Sequence, residues 1–289
     1  MRRLGVALLV LFAVLGCREK RERPLRIGSK NFSEQVILGE IAAQGLEARG
    51  VRVDRRLNLG GTFVCHQAIT AGELDLYPEY TGTAFTAILK RRPVSDPALV
   101  RGEVANAYGR WKLVWSPSLG FENTFALVVR GDDARRLGLR RISDLAAHPE
   151  IRPGFGYEFL EREDGFPGLA KTYGLAFGER PSQMDLGLLY PALETGKVDL
   201  VAGNSTDGLI DAIGGVVLED DRRYFPPYEA AFVVREEVWK EPKVREFLEL
   251  LGGSIDAAAM RKLNAAVDKD KRRPEDVARD FLARLPARR

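Results

Sequence analysis

The sequence predicts an α/β protein folded as two lobes joined by two crossing strands, and three observations predict it. From Leu25 onward short apolar runs alternate with segments of helical period, the pattern of a sheet with crossover helices. AITAGELDLYPEYTGT (68–83) and ALETGKVDLVAGNSTDG (192–208) share Ala, an aliphatic, Gly, an aliphatic, Asp and Leu at equal offsets. One unit of helix, glycine stop, strand and polar loop is thus used twice. FALVVR (125–130) and AAFVVR (230–235) are near-copies, placed where the first half gives way to the second and where the chain returns. Crossing at these strands makes residues 25–127 plus 231–289 one lobe and 128–230 the other, with loops at the strand ends around a shared cleft.

The elements follow in order. LRIGS (25–29) is a strand; a helix follows in which Val36, Ile37, Ile41 and Leu46 recur at helical spacing, with Ser33 as its N-cap and Gly50 as its stop. VRVDRRLNL alternates as a second strand, Gly60-Gly61 opens a helix to about Ala71, and LDLYP is a third strand. Residues 101–112 read as helix and 121–130 as a long strand. The grammar then repeats: helices at 158–173 and 183–195, the strand VDLVA, a helix from Asp207 and the strand AAFVVR. The last fifty residues read as helices, including EPKVREFLELLGG and Pro274 to Leu285.

Composition narrows the function. In 289 residues, 45% are hydrophobic, enough to bury real cores. Lys+Arg 44 against Asp+Glu 41 falls to 42 against 41 once Arg2 and Arg3 leave with an export signal, which argues against nucleic acid as partner. Two cysteines and two histidines, with neither CxxC nor HExxH, argue against a metal site, and no cofactor motif is present.

Met1-Arg2-Arg3 followed by the apolar run LGVALLVLFAVLG (4–16) has the form of an export signal, too short to span a bilayer comfortably. V-L-G-C, ending at Cys17, is similar to a bacterial lipobox, which implies residues 1–16 as a lipoprotein signal peptide, lipidation at Cys17 and a tether over 17–24. The mature chain is then expected in the cell envelope, extracytoplasmic and membrane-anchored through Cys17. Cys65 is left without an intramolecular partner and reads as a buried packing thiol.

Lys30 sits between the first strand and its helix, where a cation beside free helix N–H groups suits a carboxylate or phosphate. Tyr80-Thr81-Gly82-Thr83 stands in the first loop of the repeat, Asn204-Ser205-Thr206-Asp207 in its counterpart, and Tyr228 just before the return strand. An aromatic beside Gly or Pro in a loop fits a core poorly, whereas aromatic faces attract quaternary ammonium groups.

Over nearly the whole mature length the chain resembles the osmoprotectant-binding (glycine betaine, carnitine, choline) lipoproteins of ABC importers. The matching stretches are IGSKNFSEQVILGEI, LGGT with HQAI after it, DLYPEYTGTA, GFENTFAL, YEFLEREDGFPGL, MDLGLLYPAL, STDGLI and FPPYEAAFVVR. The resemblance implies a type II periplasmic-binding-protein fold with two crossing hinge strands, a small zwitterionic ligand in the cleft, membrane permease subunits as partners and no catalysis. It also implies that Lys30, Thr83 and Arg162 hold a ligand carboxylate and that Tyr80 and Tyr228 are walls of an aromatic cage. Two further walls fall on Phe125 and Asn204, where relatives usually carry tyrosine; Phe125 keeps the π face and Asn204 loses it.

Two other readings stay open. One is a binding protein for an amino acid or another zwitterion, such as ergothioneine, whose ammonium is hydrogen-bonded by Asn204, Asn123 and Asp207. The other is an enzyme, since fold alone does not decide function. Asp75 matches Asp199 at the same helix–strand join, which favours a structural role; His66 and His148 have no evident nucleophile nearby. Gly60-Gly61-Thr62 can cradle an anion at a helix start but lacks the Gly-Lys-Ser/Thr ending of a phosphate loop.

Overall fold

The computed structural model describes residues 23–285; the expected signal peptide at 1–16 and the expected lipidation site Cys17 lie outside the described residues. Ten strands are present among them: β1 (Leu25–Gly28), β2 (Val53–Arg56), β3 (Leu76–Tyr80), β4 (Leu113–Trp115), β5 (Phe125–Arg130), β6 (Pro153–Phe155), β7 (Ser182–Gln183), β8 (Leu200–Asn204), β9 (Gly215–Val217) and β10 (Ala230–Arg235). They form two five-stranded sheets ordered β2-β1-β3-β10-β4 and β7-β6-β8-β5-β9. The topology is the same in both. A central strand, β3 or β8, pairs parallel on one side with β1 or β6 and antiparallel on the other with β10 or β5. The antiparallel member comes from the other half of the chain in each case.

Alternation along these strands explains why both faces of each sheet are covered. In β10, Ala230, Phe232 and Val234 enter one core with the helix α1 (Ser33–Glu47) and the C-terminal helices. Ala231 and Val233 enter another with the helix α2 (Thr62–Thr70). Leu127 and Val129 of β5 and its neighbours Ala126 and Val128 divide in the same way between two cores of the second lobe. A strand buried on both faces reads as a near-continuous apolar run, which is what FALVVR and AAFVVR are.

The crossings themselves lie just before these strands. Glu122 and Glu229 form an antiparallel bridge; the Asn123 N–H donates to the Tyr228 carbonyl and the Ala230 N–H to the Phe121 carbonyl, each at 3.0 Å. β5 is paired within the second sheet from Phe125 onward, and β10 within the first from Ala230. By pairing, therefore, residues 125–127 go with the second sheet and Ala230 with the first, a shift from the expected edges at 127 and 231.

The internal repeat has a physical basis at its aspartates. Gly72 and Gly196 end their helices at φ 74° and 71°, the left-handed region that glycine enters without penalty. The Asp75 N–H then donates to the Arg26 carbonyl (2.8 Å) and the Asp199 N–H to the Arg152 carbonyl (2.7 Å). In return each carboxylate accepts from the backbone and side chain of the same arginine. The strand-final arginines of the near-copies complete the pattern, Arg235 at 3.9 Å from Asp75 and Arg130 at 2.6 Å from Asp199.

Three local expectations need correction. Ser33 is the first residue of α1 and not its N-cap, which is Phe32; the Ser33 hydroxyl instead donates to Asp268. The helix expected over 158–173 is two, Tyr157–Glu161 and Phe166–Tyr173, because Gly165 and Pro167 stop the first and start the second. The helix expected over 183–195 shrinks to Leu189–Glu194, since Ser182–Gln183 pairs with β6 as an edge strand.

The aspartate clasp gives a pH signature. Burial alone would raise the Asp199 pKa, but the bonds from Arg152 and Arg130 outweigh it and hold it down to about 2, below the ordinary 3.8. A carboxyl depressed in the fold contributes stability that is present above the unfolded value and lost as pH falls toward the folded one. Asp199→Asn is expected to cost about 1–3 kcal/mol at pH 7 by leaving two arginines short of an acceptor. That penalty should shrink between pH 4 and pH 2 in paired urea titrations; a penalty that does not change with pH would remove the ion pairs from the account.

Candidate functional site

Between the lobes lies a cavity of about 290 Å³. Lys30, Tyr80, Thr83, Asn123, Phe125, Arg162, Asn204 and Tyr228 all line it. Each is delivered by a strand end, a crossing or a helix start. Tyr80 and Asn204 end the central strands β3 and β8; Phe125 opens β5 and stands opposite Asn204 in register. Arg162 occupies the break between the two short helices, with φ −76° and ψ 146°. That extended residue turns its side chain from the second lobe toward the first, where Nη2 lies 3.3 Å from the Thr83 hydroxyl.

Both cations of the cavity are backed by buried carboxylates. Lys30, expected beside free helix N–H groups, is itself buried and donates from Nζ to Glu79 at 2.5 Å, 5.1 Å from the Tyr80 ring centre. Arg162 forks onto Asp164, Nε to Oδ1 at 2.8 Å and Nη2 to Oδ2 at 2.5 Å. Burial opposes the charge of this pair, but the mutual attraction wins, raising the Arg162 pKa and holding Asp164 below the usual carboxylate range. The Tyr228 hydroxyl donates to the same Asp164 at 2.6 Å, which fixes that ring as a wall.

A second carboxylate from the second lobe reaches across the cleft. Glu158 accepts from the backbone N–H of Thr62 at 2.5 Å, from its hydroxyl at 2.9 Å and from Arg162 Nη1 at 3.2 Å. It therefore caps the N-terminus of α2, the anion cradle that Gly60-Gly61-Thr62 suggested. A Cβ on Gly61 would meet the Glu158 carboxylate, so a side chain there would push that carboxylate away from Thr62. Burial pushes the Glu158 pKa up, yet Lys30, Arg162 and the Thr62 bonds prevail and hold it below its ordinary value.

Glu34 ties the lobes together behind the cavity. Its Oε1 accepts from the Tyr80 hydroxyl (2.6 Å) and Asn123 Nδ2 (2.8 Å); Oε2 accepts from the Thr206 hydroxyl (2.5 Å) and Asn264 Nδ2 (2.9 Å). Thr206 follows β8 of the second lobe, Asn123 is in a crossing, and Tyr80 and Asn264 belong to the first. Complete burial nevertheless raises the Glu34 pKa against these four donors. The sequence gives no separate sign of this role, because Glu34 stands in α1 among apolar residues as any solvated helix glutamate would.

The walls differ from a loop-borne cage. Tyr80 and Tyr228 are only 4% and 2% exposed and belong to the main core, contrary to the expectation that such aromatics fit a core poorly. Tyr80 is the last residue of a strand and not a loop residue, and its ring lines the cavity with Phe32 stacked near it at 6.4 Å. Phe125 packs edge-on against Phe159 at 4.8 Å and lies 5.1 Å from the Arg162 guanidinium. Asn204 is held by Asp207, through its backbone N–H (2.8 Å) and Nδ2 (3.3 Å). Burial, with Glu34 nearby, pushes Asp207 up to about 6. Phe32 and Phe159, which motif reading left out, also line the cavity, as do Thr62 of the suggested anion cradle and Tyr157. Tyr157 is half exposed, whereas Tyr173 is buried in the second lobe's core and bonded to Asp220.

The groups weighed for catalysis lie elsewhere. Burial and Arg110 push His66 down to about 4, within an edge-to-face cluster with Tyr108 and Trp111. His148 pairs with Glu150. Cys65 is a free, buried thiol pushed up to about 12, chiefly by burial. Among the described residues no cluster of three or more His, Cys, Asp or Glu is placed to hold a metal ion.

Two matched α/β lobes, two short crossings and a cavity at their junction define a substrate-binding protein of the two-lobed class. The family described as the substrate binding domain of ABC-type glycine betaine transport systems matches residues 23–284, and the chain belongs to that family of extracytoplasmic transport proteins. It is 37% identical over 270 residues to the glycine-betaine-binding protein of Pseudomonas aeruginosa, covering 89% of this chain and 86% of that one. It is also 37% identical over 267 residues to the ergothioneine transport permease/ergothioneine binding protein of Helicobacter pylori strain G27; this covers 91% of the chain but only 48% of that longer relative. A crystal structure of a glycine betaine/carnitine/choline ABC transporter superposes with a TM-score of 0.74 at 32% identity, covering 90% and 97% of the two chains. No helix among the described residues is long and apolar enough to cross a membrane.

Thr206→Val removes one cross-lobe donor to Glu34 and preserves shape. It should weaken the closed state by about 1–3 kcal/mol, roughly five- to a hundredfold in the closed-to-open ratio. Small-angle scattering of the unliganded variant should give a larger radius of gyration than wild type, and an identical radius would show that Glu34 does not hold the lobes together.

Proposed function

We propose that this chain binds a small quaternary-ammonium zwitterion of the glycine betaine type in the interlobe cavity and presents it to an ABC permease. The observation that carries the reading is the pairing, within one cavity, of aromatic faces from Tyr80, Phe125 and Tyr228 with the cations Lys30 and Arg162. A trimethylammonium group cannot donate an N–H bond and is held by π faces, while a carboxylate at its other end is matched by Arg162, Thr83 and Lys30. Binding and release, without turnover, is the work of such a site.

Asn204 favours a ligand with a polar group beside its ammonium. Where relatives are expected to present a tyrosine face, Asn204 offers an amide already anchored on Asp207. Carnitine and ergothioneine carry such a group and glycine betaine does not, and one of the similar proteins is named for ergothioneine. A missing cation-π wall is worth about 0.5–2 kcal/mol.

Titration calorimetry tests the reading. Arg162→Ala should lose about ten- to a hundredfold in affinity for the best-binding zwitterion, the equivalent of about 1.5–3 kcal/mol for a charge-assisted bond. Asn204→Tyr should bind glycine betaine about two- to thirtyfold tighter and lose preference for the ligand with the extra polar group. Wild-type affinity in Arg162→Ala would remove that residue from the site, and an unchanged Asn204→Tyr would mean that Asn204 does not face the ligand.

For the membrane attachment, the supporting feature is the apolar run ending in Gly16-Cys17. Cys17→Ser, expressed in a bacterial host, is expected to move from the detergent phase to the aqueous phase. Unaltered partitioning would exclude the lipid anchor.

A further inference from the structure

Counting charges on the cavity wall gives an imbalance. Lys30 is matched by Glu79 and Arg162 by Asp164, each carboxylate fully buried behind its cation. Glu158 has no cation of its own, and its side chain is 33% exposed, so it is the carboxylate that reaches the open space. These five groups together carry one net negative charge. The donors that Glu158 occupies, the Thr62 N–H and hydroxyl and Arg162 Nη1, are what a small ligand's carboxylate would need: a helix N-terminus, a hydroxyl and a guanidinium.

We propose that Glu158 is a specificity-determining residue, an internal carboxylate that holds the anion subsite of the cleft and competes with the carboxylate of a ligand. This rests on the quaternary-ammonium reading above and adds to it. A cation without a carboxylate, such as choline, enters with Glu158 in place and gains from the net negative wall. A zwitterion such as glycine betaine, whose carboxylate also needs Arg162, competes with Glu158 for that guanidinium and drives it toward the solvent that its side chain already reaches. The cleft therefore discriminates by charge at the end of the ligand remote from the ammonium group, and Glu158 sets the ratio.

The experiment is calorimetry of wild type and Glu158→Gln against choline and glycine betaine, with thermal midpoints recorded for both proteins. Glutamine keeps the shape and abolishes the competing charge. The ratio of glycine betaine affinity to choline affinity is expected to rise about tenfold or more in the variant, since each 1.4 kcal/mol of lost competition is a factor of ten. A ratio unchanged within about twofold overturns the proposal, as does loss of both ligands by a variant with a wild-type thermal midpoint, which would make Glu158 a closure latch alone. Carnitine and ergothioneine are titrated alongside; failure of wild type to bind any of the four would instead overturn the quaternary-ammonium reading, and this inference with it, whereas binding of carnitine or ergothioneine without any binding of choline by wild type or variant overturns this inference alone.

Discussion

Glu34 is the group on which the closed arrangement of this molecule depends. A carboxylate with no water around it is costly unless its oxygens are hydrogen-bonded, and here the four donors come from both lobes and a crossing. None of them alone would justify burying the charge, and separating the lobes withdraws Thr206. The same carboxylate orients the Tyr80 ring through its hydroxyl and Asn123 through its amide, so the cavity walls and the closure share one electrostatic centre. The position of Glu34 in the first turn of α1 adds the favourable end of the helix dipole to the four bonds.

The two-fold repetition of the fold explains where that centre had to be. Each central strand ends at the cleft, β3 in Tyr80 and β8 in Asn204, and each is flanked by a strand borrowed from the other half of the chain. The exchange forces two crossings side by side, and their mutual bonds at 121–123 and 228–230 make a short hinge whose backbone is satisfied internally. Asn123, Phe125 and Tyr228 stand next to this hinge and line the cavity. They form the side of the cavity nearest the crossings, whereas Thr62 and Thr83 of the first lobe meet Glu158 and Arg162 of the second across it.

Much of this was legible in the sequence, for reasons that differ by residue. The repeat could be read because both copies need a left-handed glycine and an aspartate at the same offset, and both aspartates do the same thing with an arginine two strands away. The eight residues read as site candidates converge on one cavity because the resemblance specified short loop motifs, and loops at strand ends have few places to go. What could not be read was the burial partner of each charge. Lys30 pointed to an anion without revealing Glu79, and EFLER pointed to Arg162 without revealing that Gly165 and Pro167 break the helix to present it. Glu158 and Glu34 were invisible for the same reason: a glutamate on a helix is usually solvated, and the donors that make these two otherwise, Thr62 and Arg162 for Glu158 and Tyr80, Asn123, Thr206 and Asn264 for Glu34, all lie far from the helix in sequence or outside its apolar pattern.

The pairing of both cavity cations in advance has a consequence for how the cleft recognises anything. A buried guanidinium already forked onto Asp164 offers a ligand fewer free N–H groups and less net charge than an unpaired one, but it offers them in a fixed direction. Recognition then depends less on bulk attraction than on whether a ligand's polar atoms coincide with the remaining donors while its other surface meets the ring faces. A wall substitution that leaves charge untouched, such as asparagine at position 204 where relatives are expected to carry tyrosine, therefore has leverage that it would lack in a site ruled by unpaired charge. Because the ion-pair framework of Lys30–Glu79 and Arg162–Asp164 is self-satisfied, a change in the thin layer facing the cavity can alter what fits without disturbing the charges behind it.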